Sequence, residues 1–344
     1  MITILKPGFY TLIQDLGRTG YMQYGLSRSG AMDDFALKAG NRLVGNPEDK
    51  AGLECLLITP TIRFEEDTIF ALTGAYCRPS LNGKLIPMWT ALFAGPGDVL
   101  ESASVLKGCR AYLTFAGGID SPAVLGSRSA DKRSLIGGQE KGRALQAGDR
   151  LSNTMPAVCR RREGYFLSGN GDPQDPFDYL PDPDHKTALV LRVMEGPQQD
   201  ALSIAGWKTL TSQVYMATSE SDRMGIRFQG PRIGFASGQD GNIVTDAMIP
   251  GSIQVPPSGQ PIVMMADAQT TGGYTKPAVL IAADLCRAAQ LKAGDRVLFE
   301  ECQEEEAYGA LKEQEEALSH VQFPPFDPKE AIRKTKVGLG GIGV

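Results

Sequence analysis

The sequence predicts a mainly β protein, built as two β-barrel domains with few short helices, and three observations point there. Glycine (40) and proline (22) recur at short intervals along the 344 residues. The runs between them are brief and rich in β-branched and aromatic residues, the pattern of strands joined by tight turns. Finally, Ala144-Leu-Gln-Ala-Gly-Asp-Arg-Leu151 is echoed by Gln290-Leu-Lys-Ala-Gly-Asp-Arg-Val297, as if two related halves each closed through one turn into a last strand. Many short strands with such turns favour barrels or sandwiches over a doubly wound sheet.

The expected strands include Thr61–Phe64, Thr68–Thr73, Arg110–Phe115, Ala188–Val193, Pro261–Met265 and Arg296–Glu300. Asn82-Gly83 between short runs is a type I′ hairpin signal, since both positions tolerate positive φ. A helix is expected over Met32–Leu43, where apolar residues fall near helical spacing and Gly45-Asn-Pro47 supplies the stop. A shorter helix fits Ala283–Gln290, and the acidic run Glu304-Glu-Glu306 leads into a helix over Ala307–Leu318. Gly95-Pro-Gly-Asp98 is a third, weaker copy of the echoed turn, and the echo has a plainer reading, because Gly-Asp turns are common in all-β proteins. The domain plan is residues 1–157, a linker at 158–186 dense in Arg, Gly, Asp and Pro, residues 187–305, then a C-terminal helix and tail at 306–344.

A net charge of −5 argues against a broad nucleic-acid-binding face. The start shows no basic and apolar leader, and no apolar run approaches the roughly 20 residues of a membrane helix, so a cytoplasmic protein without membrane contact is expected. The six cysteines are scattered without a C-x-x-C and read as buried, reduced thiols. Two histidines, His185 in a turn and His320, are too few for a histidine metal site, and no metal is expected.

Chemistry is left to glycine-bracketed polar loops. The first carries Gln14, Asp15 and Arg18, with Tyr21 beyond: glycines admit close backbone approach, and an arginine fork suits a carboxylate or phosphate. The same Asp–Arg pair would equally hold a turn. Asn41 and Asn46 can offer amide donors, although Asn46 before Pro47 is also a good helix terminator. Glu54 interrupts an apolar strand pattern, so it is a general-base candidate or an edge-facing glutamate. Gly117-Gly-Ile-Asp120 and Gly126-Ser-Arg-Ser129 form a further polar patch, and Asp222-Arg223 precedes another glycine. The densest stretch is Ile253-Gln-Val-Pro256 followed by Asp267-Ala-Gln-Thr-Thr-Gly-Gly-Tyr-Thr-Lys276. The loop Gln269, Thr270, Thr271, Gly272, Gly273 and Tyr274 would cradle an anion through backbone N–H groups, with Lys276 delivering charge and Gln254 a further substrate-binding candidate.

Taken together these segments resemble one family. Pro7-Gly, Thr11, Gln14-Asp-Leu-Gly-Arg18, Ser29-Gly-Ala-Met-Asp33, Leu43-Val-Gly-Asn-Pro47, Leu53-Glu54, Leu72-Thr-Gly-Ala75, Ala116-Gly-Gly-Ile119, Leu125-Gly-Ser-Arg-Ser129, Ser221-Asp-Arg-Met-Gly225, Gly251-Ser-Ile-Gln-Val-Pro256 and Gln269-Thr-Thr-Gly-Gly-Tyr274 match allophanate hydrolase subunit 2-like proteins, the biotin-dependent carboxyltransferase family. That group includes the KipI antagonist, the C subunit of bacterial ATP-dependent 5-oxoprolinase and part of the urea carboxylase carboxyltransferase domain. The match runs from about residue 3 to residue 305. Two departures stand out: Ala130 follows Ser129 where the family has threonine, and Val244-Thr-Asp-Ala-Met248 replaces a usual Ser-Glu-Gly.

The resemblance implies cyclophilin-like β-barrel domains and assembly with KipI-like (B) and LamB/YcsF-like (A) subunits. It further implies ATP-dependent opening of 5-oxoproline to glutamate, with ATP used by the complex. The alternatives are biotin-dependent carboxyl transfer to a urea-like amide, or a non-catalytic antagonist of a KipI-like inhibitor. Under the first, Arg18, Arg223 and Lys276 would neutralise carboxylate or phosphate, and Gln14, Asn41, Gln254 and Gln269 would bind the amide. Asp15, Asp267 or Glu54 would then be base or orienting group.

Overall fold

A computed structural model describes residues 1–153, the backbone of 166–167, and residues 179–321. Most of the expected linker at 158–186, all of the expected tail from residue 323, and Cys159 lie outside the described residues. Within the linker range, the backbone at Phe166–Leu167 pairs with Ala91–Leu92.

The chain is mainly β. Its first part forms two six-stranded sheets. One orders Arg150–Leu151, Ile2–Lys6, Thr61–Phe64, Val99–Glu101, Ser80–Leu81 and Lys84–Leu85. The other orders Phe166–Leu167, Ala91–Ala94, Thr68–Cys77, Val105–Phe115, Gly52–Leu56 and Tyr10–Gln14. Alternating residues from both bury one apolar core that includes Ile2, Ile4, Ile13, Leu53, Phe64 and Phe70, with the two phenylalanine centroids 5.1 Å apart.

The second part is one eight-stranded sheet. Its order is Leu189–Glu195, Arg296–Glu301, Val214–Ala217, Gly225–Gln229, Ile262–Met264, Ser252–Val255, Thr271–Leu280 and Asn242–Ala247. Thr271–Leu280 also pairs with Leu189–Glu195, so the first seven strands close into a barrel and Asn242–Ala247 is left as an appended edge. Leu191, Tyr215, Phe228, Ile253 and Phe299 fill it.

The local signals act as expected. Asn82 and Gly83 take φ of 52° and 75° between the paired strands Ser80–Leu81 and Lys84–Leu85, as a type I′ hairpin requires. The first helix is Asp34–Leu43, and its N-cap Asp33 accepts from the Ala36 N–H. Ala282–Asp284 is 3-10 and Leu285–Ala288 α-helical, and Glu304–His320 begins with a Gln303/Glu306 capping box. The helix Ile204–Ser212, capped by Ser203, has a sparse apolar face and gave no periodic signal.

The echoed turn is one device used three times. Asp98, Asp149 and Asp295 each accept from an N–H three residues earlier, those of Gly95, Gln146 and Lys292, at 2.7, 2.8 and 2.8 Å. The glycine before each has φ of 90–93°. The third copy lies in the same half as the first, so the echo follows from turn chemistry as directly as from repetition.

Among the described residues no helix is long and apolar enough to cross a membrane, and no cluster of three or more His, Cys, Asp or Glu is placed to hold a metal. Cys55, Cys77, Cys109, Cys286 and Cys302 are free and buried, and burial pushes the Cys77 thiol up to about 12.

Candidate active site

The strand Val105–Phe115 places Arg110 and Tyr112 on one face, toward the second half of the chain. Tyr112 donates its hydroxyl to Glu54 Oε2 (2.8 Å) and accepts from the Asp33 N–H (2.8 Å). The Met32 N–H also donates to Glu54 Oε2 (2.9 Å). From the barrel, Arg223 reaches Glu54 Oε1 through Nη1 at 2.5 Å and grips Asp267 through Nε (2.8 Å) and Nη2 (3.0 Å). Its Nη2 also donates to the Gly30 carbonyl at 2.6 Å. Glu54, Arg223 and Asp267, three separately expected residues, are therefore one centre at the junction of the two halves.

This geometry revises the role of Glu54. Burial alone would push its carboxyl up, but Arg223, then Arg110 and the bonds from Met32 and Tyr112, outweigh it and hold the group below the usual carboxylate range. Glu54 is thus held as an ion-paired carboxylate between Arg223 and Arg110.

Arg18 lies in a second cluster. The Asp15 carboxylate accepts from Ser127 Oγ (2.7 Å), Ser129 Oγ (2.6 Å) and the N–H groups of Gly17 (2.8 Å) and Arg128 (2.5 Å), so it organises the 127–129 turn and makes no ion pair with Arg18. Arg18 is 1% exposed and donates to the Ser129 carbonyl at 2.6 Å, while its Nε and Nη1 have no partner. Burial pushes its pKa down, opposed by Asp131, Asp15 and Asp267. Gln14, whose Nε2 donates to the Ala130 carbonyl, likewise keeps a buried, unpartnered Oε1. The two clusters adjoin through the 29–30 turn, where the Ser29 N–H donates to the Ala266 carbonyl and Arg223 holds Gly30.

Other expected site residues are engaged elsewhere. Asn41 donates to the Glu48 and Lys50 carbonyls and accepts from Asn46, which also donates to the Phe115 carbonyl and accepts from the Gly117 N–H. Both amides thus pin the end of the first helix and have no free donor for a ligand. Tyr21 sits in a half-exposed turn beside Tyr24. The anticipated loop over 267–276 is a loop only to Thr270. From Thr271 it is a strand, with Thr271, Gly272 and Tyr274 opposite Ala247, Asp246 and Asn242. Gly272 and Gly273 therefore form no left-handed anion cradle. Lys276 is buried and donates to Asp246 (2.6 Å) and to the Ala247 carbonyl (2.7 Å), so its charge is already used. A cleft of about 490 Å³ does open here, lined by Gln254, Gln269 and Tyr274 among others, but by no residue of 14–18.

Sequence reasoning missed Arg110, Tyr112 and Gln290, and gave Asp33, at the end of the Ser29–Asp33 motif, no role of its own. Gln290 Oε1 accepts from the Cys109 (3.0 Å) and Arg110 (2.9 Å) N–H groups, while its Nε2 donates to Asp33 (2.6 Å) and the Arg110 carbonyl (3.0 Å). Arg110 donates in turn to the Ala289 carbonyl. An arginine alternating with a tyrosine in an apolar strand was the available signal for the first two. Gln290 had none, because its partners are roughly 180 and 257 residues away.

The family described as carboxyltransferase domain, subdomain A and B, matches residues 24–301. The chain is 38% identical over 328 residues to the 5-oxoprolinase C subunit of Escherichia coli (strain K12), covering 94% of this chain and 98% of that protein. It is 32% identical to urea amidolyase of Lachancea kluyveri over 86% of its own length, but spans only 16% of that protein. It superimposes on the Kluyveromyces lactis urea carboxylase crystal structure with a TM-score of 0.83 and 28% identity, covering 95% of this chain and 30% of that one.

Proposed function

The chain belongs to the carboxyltransferase domain family, subdomains A and B, and on that premise we propose that it is the C subunit of an ATP-dependent 5-oxoprolinase. It works with KipI-like and LamB/YcsF-like subunits in the cytoplasm. The reaction adds water across the lactam C–N bond of 5-oxoproline to give glutamate, and hydrolysis of ATP to ADP and phosphate drives it.

What carries the reading is Arg18. Of the cations expected to meet an anion, Arg223 and Lys276 are committed to carboxylates, whereas Arg18 keeps two nitrogens unpartnered. A buried fork with open donors suits a carboxylate or phosphoryl oxygen and costs least once an anion satisfies it. In this reading Asp15 positions the turn that holds Arg18, Gln14 offers its free carbonyl oxygen, and the Glu54–Arg223–Asp267 centre fixes the facing loop.

Reconstitution with its neighbour-encoded subunits tests the proposal. ATP-dependent glutamate release from 5-oxoproline is expected, and Arg18→Ala abolishes it. Turnover unchanged in that variant sinks the site assignment.

The likeness to the urea carboxylase structure supports a second reading, biotin-dependent carboxyl transfer to a urea-like amide. It requires a biotinylated carrier from another chain. Carboxylation of urea with such a carrier, and no ATP-driven opening of 5-oxoproline, would establish it. Tight capture of a KipI-like protein with no turnover of either amide would instead favour the antagonist role.

A further inference from the structure

Two segments rise from the Arg18 cluster, residues 19–28 and 131–142, and the reaction proposed above uses neither. The Arg18 N–H donates to the Arg28 carbonyl (2.8 Å) and closes the base of the first. Asp131 and Ile136 exchange both backbone hydrogen bonds (2.9 and 3.2 Å) and close the second. Ser27 Oγ joins the two by donating to Asp131 Oδ2 (2.9 Å). Gly137 packs on the guanidinium, since a Cβ there would come within 3.1 Å of Arg18 Nη2.

Each segment carries a large apolar tip that the core does not bury. Tyr24 is 72% and Leu135 62% exposed. Leu135 is also held at φ 56°, a left-handed conformation that ordinarily falls to glycine or asparagine. The Asp131 carboxylate fixes it there by accepting from the Arg133 and Ser134 N–H groups, both at 3.0 Å. Backbone held in this way around an exposed leucine presents the side chain rather than burying it. Tyr24 is three residues from Ser27, and Leu135 adjoins Ile136, so chain length keeps the two tips within roughly 30 Å, the width of one standard protein contact. Around them Arg28, Lys132, Arg133 and Lys141 are exposed, and none pairs with a described acid. The acids of the two segments are engaged, Asp131 as above and Glu140 by Arg143 (3.4 Å). The face is therefore basic, in a chain whose net charge is −5.

We propose that this face docks a protein subunit whose own surface sets carboxylates around an apolar recess, and that the docked subunit covers the Arg18 cluster. Tyr24 and Leu135 enter the recess as anchors at the centre of the contact, and the four cations meet the carboxylates at its rim. A nucleic acid would use the charges but leave the leucine in water, and the acidic balance of the chain opposes one. The inference rests on the multi-subunit reading above only for the proteins used to test it.

Surface plasmon resonance on the immobilised full chain tests it, with the neighbour-encoded KipI-like and LamB/YcsF-like subunits as separate analytes. One of them should bind, and raising NaCl from about 50 to about 300 mM should slow its association about tenfold. Lys132→Glu with Arg133→Glu should slow association by a similar factor at low salt. Lys84→Glu with Lys208→Glu makes the same charge change at exposed positions elsewhere and should alter the rate less than about twofold. Leu135→Gly relieves the left-handed backbone, so its melting temperature should hold while dissociation quickens about tenfold, a split that a purely structural leucine would not give. Tyr24→Ala should weaken binding by a similar factor. Wild-type binding in folded Leu135→Gly or in the charge-reversed Lys132 and Arg133 variant, or no binding of either subunit to the wild-type chain, overturns the proposal. Face variants that bind and turn over 5-oxoproline normally would leave the 5-oxoprolinase reading standing, whereas face-dependent binding without turnover would remove that reading alone.

Discussion

Arg223 ties the barrel to the first half of the chain through Glu54, with Nη1 2.5 Å from Glu54 Oε1 while the rest of the fork holds Asp267. One guanidinium faces two carboxylates, and Arg110, 3.8 Å from Glu54, is the nearest further cation in the group. Removing Arg223 would strand buried negative charge. We expect Arg223→Ala to cost about 3–5 kcal/mol in urea unfolding, because breaking a buried pair is far dearer than never having built it. Arg223→Lys should recover only part of this, since an ammonium cannot hold two carboxylates and the Gly30 carbonyl at once. A loss under about 1 kcal/mol in Arg223→Ala would show that the centre does not join the halves.

Arg18 predicts the opposite balance. It makes one side-chain hydrogen bond, to the Ser129 carbonyl, and buries two unsatisfied nitrogens. Arg18→Met keeps much of the volume, loses about 1 kcal/mol of hydrogen bonding and relieves a similar desolvation cost. Stability should therefore change by less than about 1 kcal/mol, while turnover in the reconstituted complex falls by roughly 100-fold or more. Parallel loss of both would assign Arg18 to folding instead.

These two arginines also mark what the sequence made legible. Strand content, the Asn82-Gly83 hairpin and the first helix follow from local chemistry, and each is found nearly where the residues place it. Arg18, Glu54, Arg223 and Asp267 stood out as polar residues in apolar or glycine-rich settings; the last three converge in one centre, and Arg18 lies in the adjoining cluster. Their partners were not readable, because a side chain's state depends on what lies across the junction. Asp15 looked like the mate of Arg18 but spends its oxygens on the 127–129 turn. Lys276 looked like a free charge beyond a loop, yet the appended edge strand brings Asp246 to it. The glycine pair at 272–273 read as a loop because glycine is a turn signal. Here it lies in a strand, where position 272 must leave space for Gln254.

Asp33 supplies a pH dependence that local sequence did not suggest. It is buried at the junction, where it accepts from the Ala36 N–H, Tyr179 (2.8 Å) and Gln290 (2.6 Å). Burial pushes its carboxyl from an ordinary 3.8 up to about 7, although the bonds from Ala36, Gln290 and Tyr179 pull the other way. Between these values the folded chain keeps a proton that the unfolded chain has released. Its stabilising effect is therefore complete below about pH 4 and is lost as pH rises through about 7, a change on the order of 4 kcal/mol. Glu54 and Asp131 are shifted down, so their contributions are lost only as pH falls through the acidic range, whereas burial also shifts Asp295 up, so the difference between wild type and an Asp33 variant is what isolates Asp33. In Asp33→Asn the side chain can still cap Ala36, but its amide opposes the Gln290 donor at every pH. The variant should thus carry a constant cost and lose the part of the slope that Asp33 supplies, keeping only what other raised groups such as Asp295 contribute. Urea unfolding at about pH 5, 6.5 and 8 measures this: wild-type stability falls across the series by clearly more than that of the variant. Parallel curves for the two proteins would remove Asp33 as the titrating group.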